Sequence, residues 1–393
     1  MADDVYESEV KKMYGVALGG GGARGSYELG VLKALKELRI PIGAVTGTSI
    51  GAINAAGFLM GDLDVMEEMW LQLDRASILE LNAENVLDSL RNGGYDYERA
   101  FSKIRENLNE ETIRKNPIDL GIVTYNVTTR SPVVIFKDDI PEGRLVDYVL
   151  ASANHPLLRR YEIEGEKYLD GAIYDNIPVD PLLKKGYIDI VFVNLDAPGR
   201  SRHFAKTANI VEISPDDTLG SILLPEPETI ARNLSMGYLD TLKAFGKIHG
   251  HRYSFHDTEL SGLLGPLPAE MVKNFESIYS HFVTDKVLEP YKHSLGHRYS
   301  PVLAALEITA ELLCIDRTVI YENPGRLVDA IVKKLAKITM EEAKMTRTEK
   351  ALVKDYSEKH LKRLMLTSPK VVIGNLFIKE LQNRLIGVEH GLY

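Results

Sequence analysis

The stretch Gly43-Ala-Val-Thr-Gly-Thr-Ser-Ile-Gly-Ala-Ile-Asn-Ala-Ala-Gly57 decides how this chain is read. Gly43 to Thr46 has the character of a short buried strand and Ile50 to Met60 that of a helix, so Ser49 falls on the turn between them. Gly47-Thr-Ser-Ile-Gly51 matches Gly-x-Ser-x-Gly, in which a sharp strand-to-helix turn projects the serine hydroxyl above a sheet. Side chains two positions before and after such a serine collide, which explains glycine at Gly47 and Gly51. Ala52, Ala55, Ala56 and Gly57 continue a narrow surface on which the helix can approach the sheet, and its N-terminal dipole favours an anion beside Ser49. A turn with a serine helix cap shows the same pentapeptide, so the surroundings must decide.

From Ile40 to Gly61 there is no charged residue, a run long enough to span a bilayer. Pro41, several glycines, Thr46, Thr48, Ser49 and Asn54 put polar groups at its middle, and a buried strand–turn–helix explains it better than a spanning helix. Upstream, Met13 to Leu18 reads as a strand that runs into Gly19 to Gly22. Ser26 to Leu38 reads as a helix, with Leu29, Val31, Leu32, Leu35 and Leu38 inward and Lys33, Lys36 and Glu37 outward. Strand, helix, strand, helix is the order of a parallel α/β architecture. A charged helical stretch around Met66 to Arg105 follows, then strands at Leu120 to Val127 and Pro132 to Phe136 joined by a turn at Thr128 to Ser131. Tyr168 to Asp170, Asp189 to Val193 and Ile210 to Ile213 complete the β-rich runs, and beyond Asp217 the β signal disappears. The last third is helical, with apolar stripes at Met271, Phe275, Ile278 and Phe282 and at Leu327, Ile331, Leu335 and Ile338. Gly262 to Pro268, with two prolines and two glycines, is the best linker candidate.

Composition sets limits. The 393 residues are 45% hydrophobic and 26% charged, as in a globular protein with a sizeable core. A formal net charge of −9 argues against nucleic acid as the main partner. The single cysteine, Cys314, fits a reducing, cytoplasmic setting and reads as a small buried hydrophobe rather than a catalytic thiol. The acidic N-terminal stretch lacks the apolar run of a secretory signal.

Between the first strand and helix lies Gly20-Gly-Gly-Ala-Arg-Gly25. Acyl transfer passes through an oxyanion that needs N–H donors fixed in advance, and successive glycines allow the dihedrals that aim amides inward. On this reading Gly20, Gly21, Gly22, Ala23, Arg24 and Gly25 form an oxyanion hole, with Arg24 either contacting a lipid phosphate or bracing the loop. Gly20-x-Gly22-x-x-Gly25 also fits a dinucleotide fingerprint. That fingerprint requires an acidic residue at the end of the second strand, and none occurs between Glu37 and Asp62. The nucleotide reading fails there.

A nucleophilic serine needs a base, usually histidine. The ten histidines are scattered, with only His155 before His203. Glu166-Lys-Tyr-Leu-Asp-Gly-Ala172 offers Asp170 at the end of a short β-like run, with Gly171 for a tight turn and Asn176 and Pro178 leading to the next helix. An ordinary aspartate, at about 3.9, is a weaker base than histidine at about 6.5 and would rely on close contact and desolvation. Asp175 and Asp180 are nearby rivals, read as a cap and a surface charge.

In order, Gly20 to Gly25, Gly47 to Gly51, Ala151-Ser-Ala-Asn-His-Pro156 and Asp170-Gly-Ala172 resemble the motif set of the patatin-like phospholipase family. The resemblance covers roughly residues 12 to 246 and ends in Ile230 to Phe245, where Gly237-Tyr238 resembles the family's last helix. It implies a three-layer α/β/α domain over 12–250 with a mostly parallel sheet, followed by a helical region over 251–393 of unassigned role. It further implies a lipid substrate, a Ser49–Asp170 dyad in place of a triad, release of free fatty acid, and no metal or other cofactor. A non-catalytic lipid-binding scaffold on the same fold is the alternative. Lys333, Lys334 and Lys337 oppose an apolar stripe, and Lys359, His360, Lys362 and Arg363 cluster further on. Such a pattern makes a peripheral membrane surface a candidate partner, against a packed helical domain with a solvated basic face. Homo-oligomerisation stays open.

Overall fold

The computed structural model describes residues 13–73, 98–202, 209–258, 285–296 and 300–389. The linker candidate at Gly262 to Pro268, the stripe from Met271 to Phe282, His203 and part of the charged stretch after Met66 lie outside the described residues. The chain divides into two compact units, Met1–Ala244 and Phe245–Tyr393.

The first unit is built on an eight-stranded sheet. Its strands are β1 (Tyr14–Leu18), β2 (Ile42–Thr48), β3 (Asp119–Asn126), β4 (Ser131–Phe136), β5 (Tyr161–Ile163), β6 (Glu166–Asp170), β7 (Asp189–Val193) and β8 (Asn209–Ile213). The core β3-β2-β1-β7-β8 is parallel throughout, whereas β4 and β6 pair with β3 antiparallel and β5 pairs with β6. Every residue of β2 and β7 is buried, as expected of parallel strands covered on both faces. On one face Ala17, Ala44, Ile190 and Phe192 pack against Ile177, Val179 and Leu182. On the other, Val16, Leu18, Val45, Val191 and Val193 are equally buried. This is the expected α/β sandwich. Short β5 escapes sequence reading because three residues show no alternation.

The helices of this unit are α1 (Ser26–Glu37), α2 (Ile50–Met60), α3 (Leu63–Leu71), α4 (Glu98–Asn107), α5 (Glu110–Lys115), α6 (Leu145–Ser152), α7 (Asp180–Lys184) and α8 (Pro227–Ala244). The apolar run from Ile40 to Gly61 is β2, a turn and α2, and no helix among the described residues is long and apolar enough to cross a membrane. Helices α1 and α8 meet at two glycines. A Cβ on Gly30 would lie 2.0 Å from the Leu234 carbonyl oxygen, and one on Gly237 would lie 2.0 Å from that of Tyr27. Tyr27 Oη donates to Asp240 at 2.7 Å and Tyr238 Oη to Glu37 at 2.6 Å, fixing the crossing from both sides.

The second unit contains α9 (Asp285–Leu295), α10 (Pro301–Leu312), α11 (Pro324–Met340), α12 (Arg347–Val353), α13 (Glu358–Thr367) and α14 (Pro369–Glu389). Helix α10 is buried from Val302 to Ala310, including Glu307, whose carboxylate accepts the amides of His251, Arg252 and Tyr253. The β signal does not end at Asp217, because β9 (Ser254–Phe255) and β10 (Ile320–Tyr321) pair in parallel; each is too short to show a periodicity. Cys314 is exposed, not a buried hydrophobe. It follows the end of α10 at φ 52, with its amide on Glu311 O and that of Ile315 on Ala310 O, a Schellman-type helix end.

Gly237→Ala tests the helix crossing. Alanine is the better helix former by about 1 kcal/mol. Its methyl group, however, would meet a backbone oxygen that moves only if the helices part, and such overpacking costs about 1–3 kcal/mol. The variant is expected to melt below wild type in thermal denaturation; an equal or higher midpoint would contradict the close crossing.

Candidate active site

The geometry of the site begins on β3. Strand β4 pairs with β3 from Gly121 to Asn126 along one edge. The opposite edge is shared: β2 pairs with Asp119 to Val123 and ends at Thr48↔Val123, while β6 pairs with Thr124 to Asn126 and ends at Thr124↔Asp170. The residue that follows β2 is therefore delivered to the residue that ends β6. These are Ser49 and Asp170.

Ser49 is half-buried at φ 58 and ψ −127, a conformation that non-glycine residues adopt at a cost of about 1–3 kcal/mol. The glycines around it leave the space this needs. A Cβ on Gly47 would sit 2.4 Å from the carbonyl oxygen of Gly51, and one on Gly51 2.4 Å from that of Leu18. The hydroxyl makes no helix-cap bond; it donates to Asp170 Oδ2 at 2.7 Å. Its own amide donates to Ser152 Oγ at 2.9 Å.

Asp170 is 3% exposed. Its Oδ1 accepts the amide of Ala172 at 2.8 Å, and its amide donates to the Asn154 carbonyl at 2.9 Å. Gly171 is required at the turn, since a Cβ there would lie 2.1 Å from the Val123 carbonyl oxygen. Burial pushes the Asp170 carboxyl up to about 6, opposed by the hydrogen bonds from Ala172 and Ser49. That brings its basicity close to that of an ordinary imidazole while leaving it about nine-tenths ionised at neutral pH. No described histidine hydrogen-bonds Ser49 or Asp170; His155 Nδ1 accepts the amide of Leu157, and burial lowers its pKa. Asp175 is buried and its carboxyl is also raised to about 6 by burial, but the Ser49 hydroxyl goes to Asp170 and not to it, and its carbonyl takes Thr48 Oγ1. Asp180 opens α7 beside Arg202.

The glycine loop lies against the serine: a Cβ on Gly20 would be 3.1 Å from that of Ser49 and 2.4 Å from Asn176 Oδ1. Its six positions do not act alike. The amides of Gly20, Ala23 and Arg24 donate to the carbonyls of Asn176, Ile222 and Gly21. Gly25 packs on Ile50 and its carbonyl takes Asn54 Nδ2. Arg24 is a brace, with Nε on Gly220 O at 2.9 Å and Nη1 on the carbonyls of Leu195 and Asp196. Only Gly21 and Gly22, the latter at φ 55, have amides without an acceptor among the described residues.

Sequence reading passed over the support beneath this loop. Glu28, fully buried, accepts from Asn54 Nδ2 at 2.8 Å, while Asn54 Oδ1 accepts Trp70 Nε1. Burial drives the Glu28 carboxyl well above the usual range. A glutamate among the inward residues of α1 and a lone asparagine in an alanine-glycine helix were the available signals.

The Patatin-like phospholipase family model matches residues 16–183. "Lysophospholipase nte1" of Aspergillus terreus is 31% identical over 192 residues, which are 45% of this chain and 11% of that protein. "Uncharacterized NTE family protein Mb1092c" of Mycobacterium bovis is 27% identical over 168 residues, 42% of this chain and 44% of that one. The chain thus spans less than half the length of either relative. Among solved structures, VipD from Legionella pneumophila shares 17% identity over 93% of this chain and 90% of that one, with a TM-score of 0.38. Over residues 16–183, the stretch that holds the glycine loop, Ser49 and Asp170, the chain matches the patatin-like phospholipase family.

Proposed function

We propose that this chain hydrolyses carboxylic esters of lipids, with Ser49 as nucleophile and Asp170 as the proton shuttle. The observation that carries the reading is the 2.7 Å hydrogen bond from Ser49 Oγ to a buried carboxylate, on a serine held at positive φ beside a glycine loop. Relatives named lysophospholipase and patatin-like phospholipase support the lipid class.

In the first half-reaction Asp170 Oδ2 takes the hydroxyl proton as Ser49 Oγ adds to the acyl carbonyl carbon. The carbonyl oxygen becomes an oxyanion opposite the amides of Gly21 and Gly22, at the start of α2 where the dipole favours negative charge. Collapse breaks the bond to the alcohol, which leaves with the proton from Asp170. Water then adds to the acyl-serine, giving its proton to Asp170. Ser49 Oγ departs with that proton, and a free fatty acid is released. One carboxyl group serves as base and acid in turn, for which a pKa close to the working pH is suited.

The second unit supports a membrane-surface setting. Its two most exposed large apolar side chains among the described residues are Met340, at 87%, and Leu366, at 85%. Each ends a helical stripe behind two cations, Lys333 and Lys337 on α11 and Lys359 and Arg363 on α13, none of which forms an ion pair among the described residues. Cations above an apolar tip suit an anionic lipid interface, and the single exposed thiol of Cys314 fits the cytoplasm.

Three outcomes test the reading. Ser49→Ala is expected to abolish release of p-nitrophenol from medium-chain esters, and Asp170→Asn to fold but lose about 10²–10⁴-fold in kcat; wild-type turnover by either variant would refute the assigned roles. Because Asp170 must be ionised in the free enzyme, kcat/KM for a neutral ester should rise with pH through about 6 and then level. A profile that stays flat to about pH 4 would contradict the raised carboxyl of Asp170. Inactive Ser49→Ala protein should sediment with phosphatidylcholine vesicles only when phosphatidylserine is added, and Lys337→Glu/Arg363→Glu should weaken that binding; vesicle binding indifferent to these changes would rule out the basic stripes.

A further inference from the structure

The segment that closes α6 touches both Ser49 and Asp170. Ser152 is fully buried, and its Oγ lies 2.6 Å from the carbonyl of Val123 and 2.9 Å from the amide of Ser49. A carbonyl only accepts, so the Ser152 proton points at Val123, and the lone pair that remains receives the Ser49 N–H. Val123 is also the last β3 residue paired with β2, so this one hydroxyl bridges the two strands where their ladder stops. Two residues on, the Asn154 carbonyl takes the amide of Asp170 at 2.9 Å, and Asn154 Nδ2 donates to Tyr168 O.

Ser49 is therefore held at both ends. Its carbonyl accepts the amides of Ala52 and Ile53 from the first turn of α2, and its amide is held by Ser152. The dihedral between these two anchors is the positive φ that only glycine adopts freely. Its release toward an ordinary value would swing Cβ and Oγ away from Asp170 Oδ2. We infer that Ser152 is a positioning residue for catalysis: its hydroxyl latches the nucleophile's backbone in the reactive conformation, and the same turn, through the Asn154 carbonyl, sets where Asp170 stands. This rests on the Ser49–Asp170 reading, which it deepens by assigning the group that fixes the distance between the two.

The latch predicts a split that a simple loss of fold would not produce. Steady-state kinetics would be measured per active site, titrated by the p-nitrophenol burst, together with thermal midpoints, for wild type, Ser49→Ala and three substitutions at Ser152. Ser152→Ala is expected to lower kcat about 10- to 100-fold, the effect of a small misplacement of a reacting group, with KM and the pH midpoint unchanged. Ser152→Thr and Ser152→Val add the same bulk and differ only in the hydroxyl, so Thr should exceed Val in kcat even if both are less stable than wild type. Equal kcat for Thr and Val, or a Ser152→Ala enzyme with wild-type kcat per titrated site while Ser49→Ala is inactive, would overturn the latch and leave the dyad standing. Full turnover by Ser49→Ala would instead remove the reading on which the latch rests.

Discussion

The shared edge of β3 is the constraint on which the candidate active site depends. One strand, paired along its other edge by β4, accepts β2 on its first half and β6 on its second. Two segments far apart in sequence are thereby brought end to end, one rising to Ser49 and the other finishing at Asp170. Strand pairing is well suited to this task because its register is set in whole residues, and a slip of one position would turn both side chains to the wrong face. The 2.7 Å contact is the local result of a topological arrangement.

Electrostatics and packing then act together on that contact. The burial that places Asp170 beside the serine also raises its pKa, because the charged form loses hydration that two hydrogen bonds only partly replace. Glycines at 20, 47, 51 and 171 do a different job: each stands where a Cβ would meet a neighbouring backbone or side-chain oxygen at 2.4 Å or less. They let four chain segments converge within one turn's width. Arg24 shows why a charged residue in such a loop need not face substrate. Its guanidinium donors are taken by carbonyls of three residues, so it ties the loop to the segments that follow β7 and β8.

Much of this was legible in the chain itself. The strand–turn–helix around Ser49 announces itself through spacing, because a nucleophile turn leaves few choices at Gly47 and Gly51. The parallel α/β order could be read from apolar runs alone. What could not be read is which loop amides remain without acceptors, since that depends on partners such as Asn176 and Ile222, more than 150 residues away in sequence. The buried Glu28–Asn54–Trp70 network was hidden for a similar reason: a polar residue on an inward helix face is interpretable only once its partner is seen. Cys314 went the other way. Its neighbours are apolar, but it falls one residue beyond the helix cap, where the chain turns outward.

The central claim is that Ser49 is nucleophilic because Asp170 takes its proton. The most direct measurement is peptide mass mapping of a fluorophosphonate adduct, with its rate of formation, in wild type and Asp170→Asn. The account predicts a single rapid adduct on the peptide bearing Ser49, slowed by orders of magnitude when the carboxylate becomes an amide. An adduct on another serine, or an unchanged rate at Ser49 in Asp170→Asn, would contradict it.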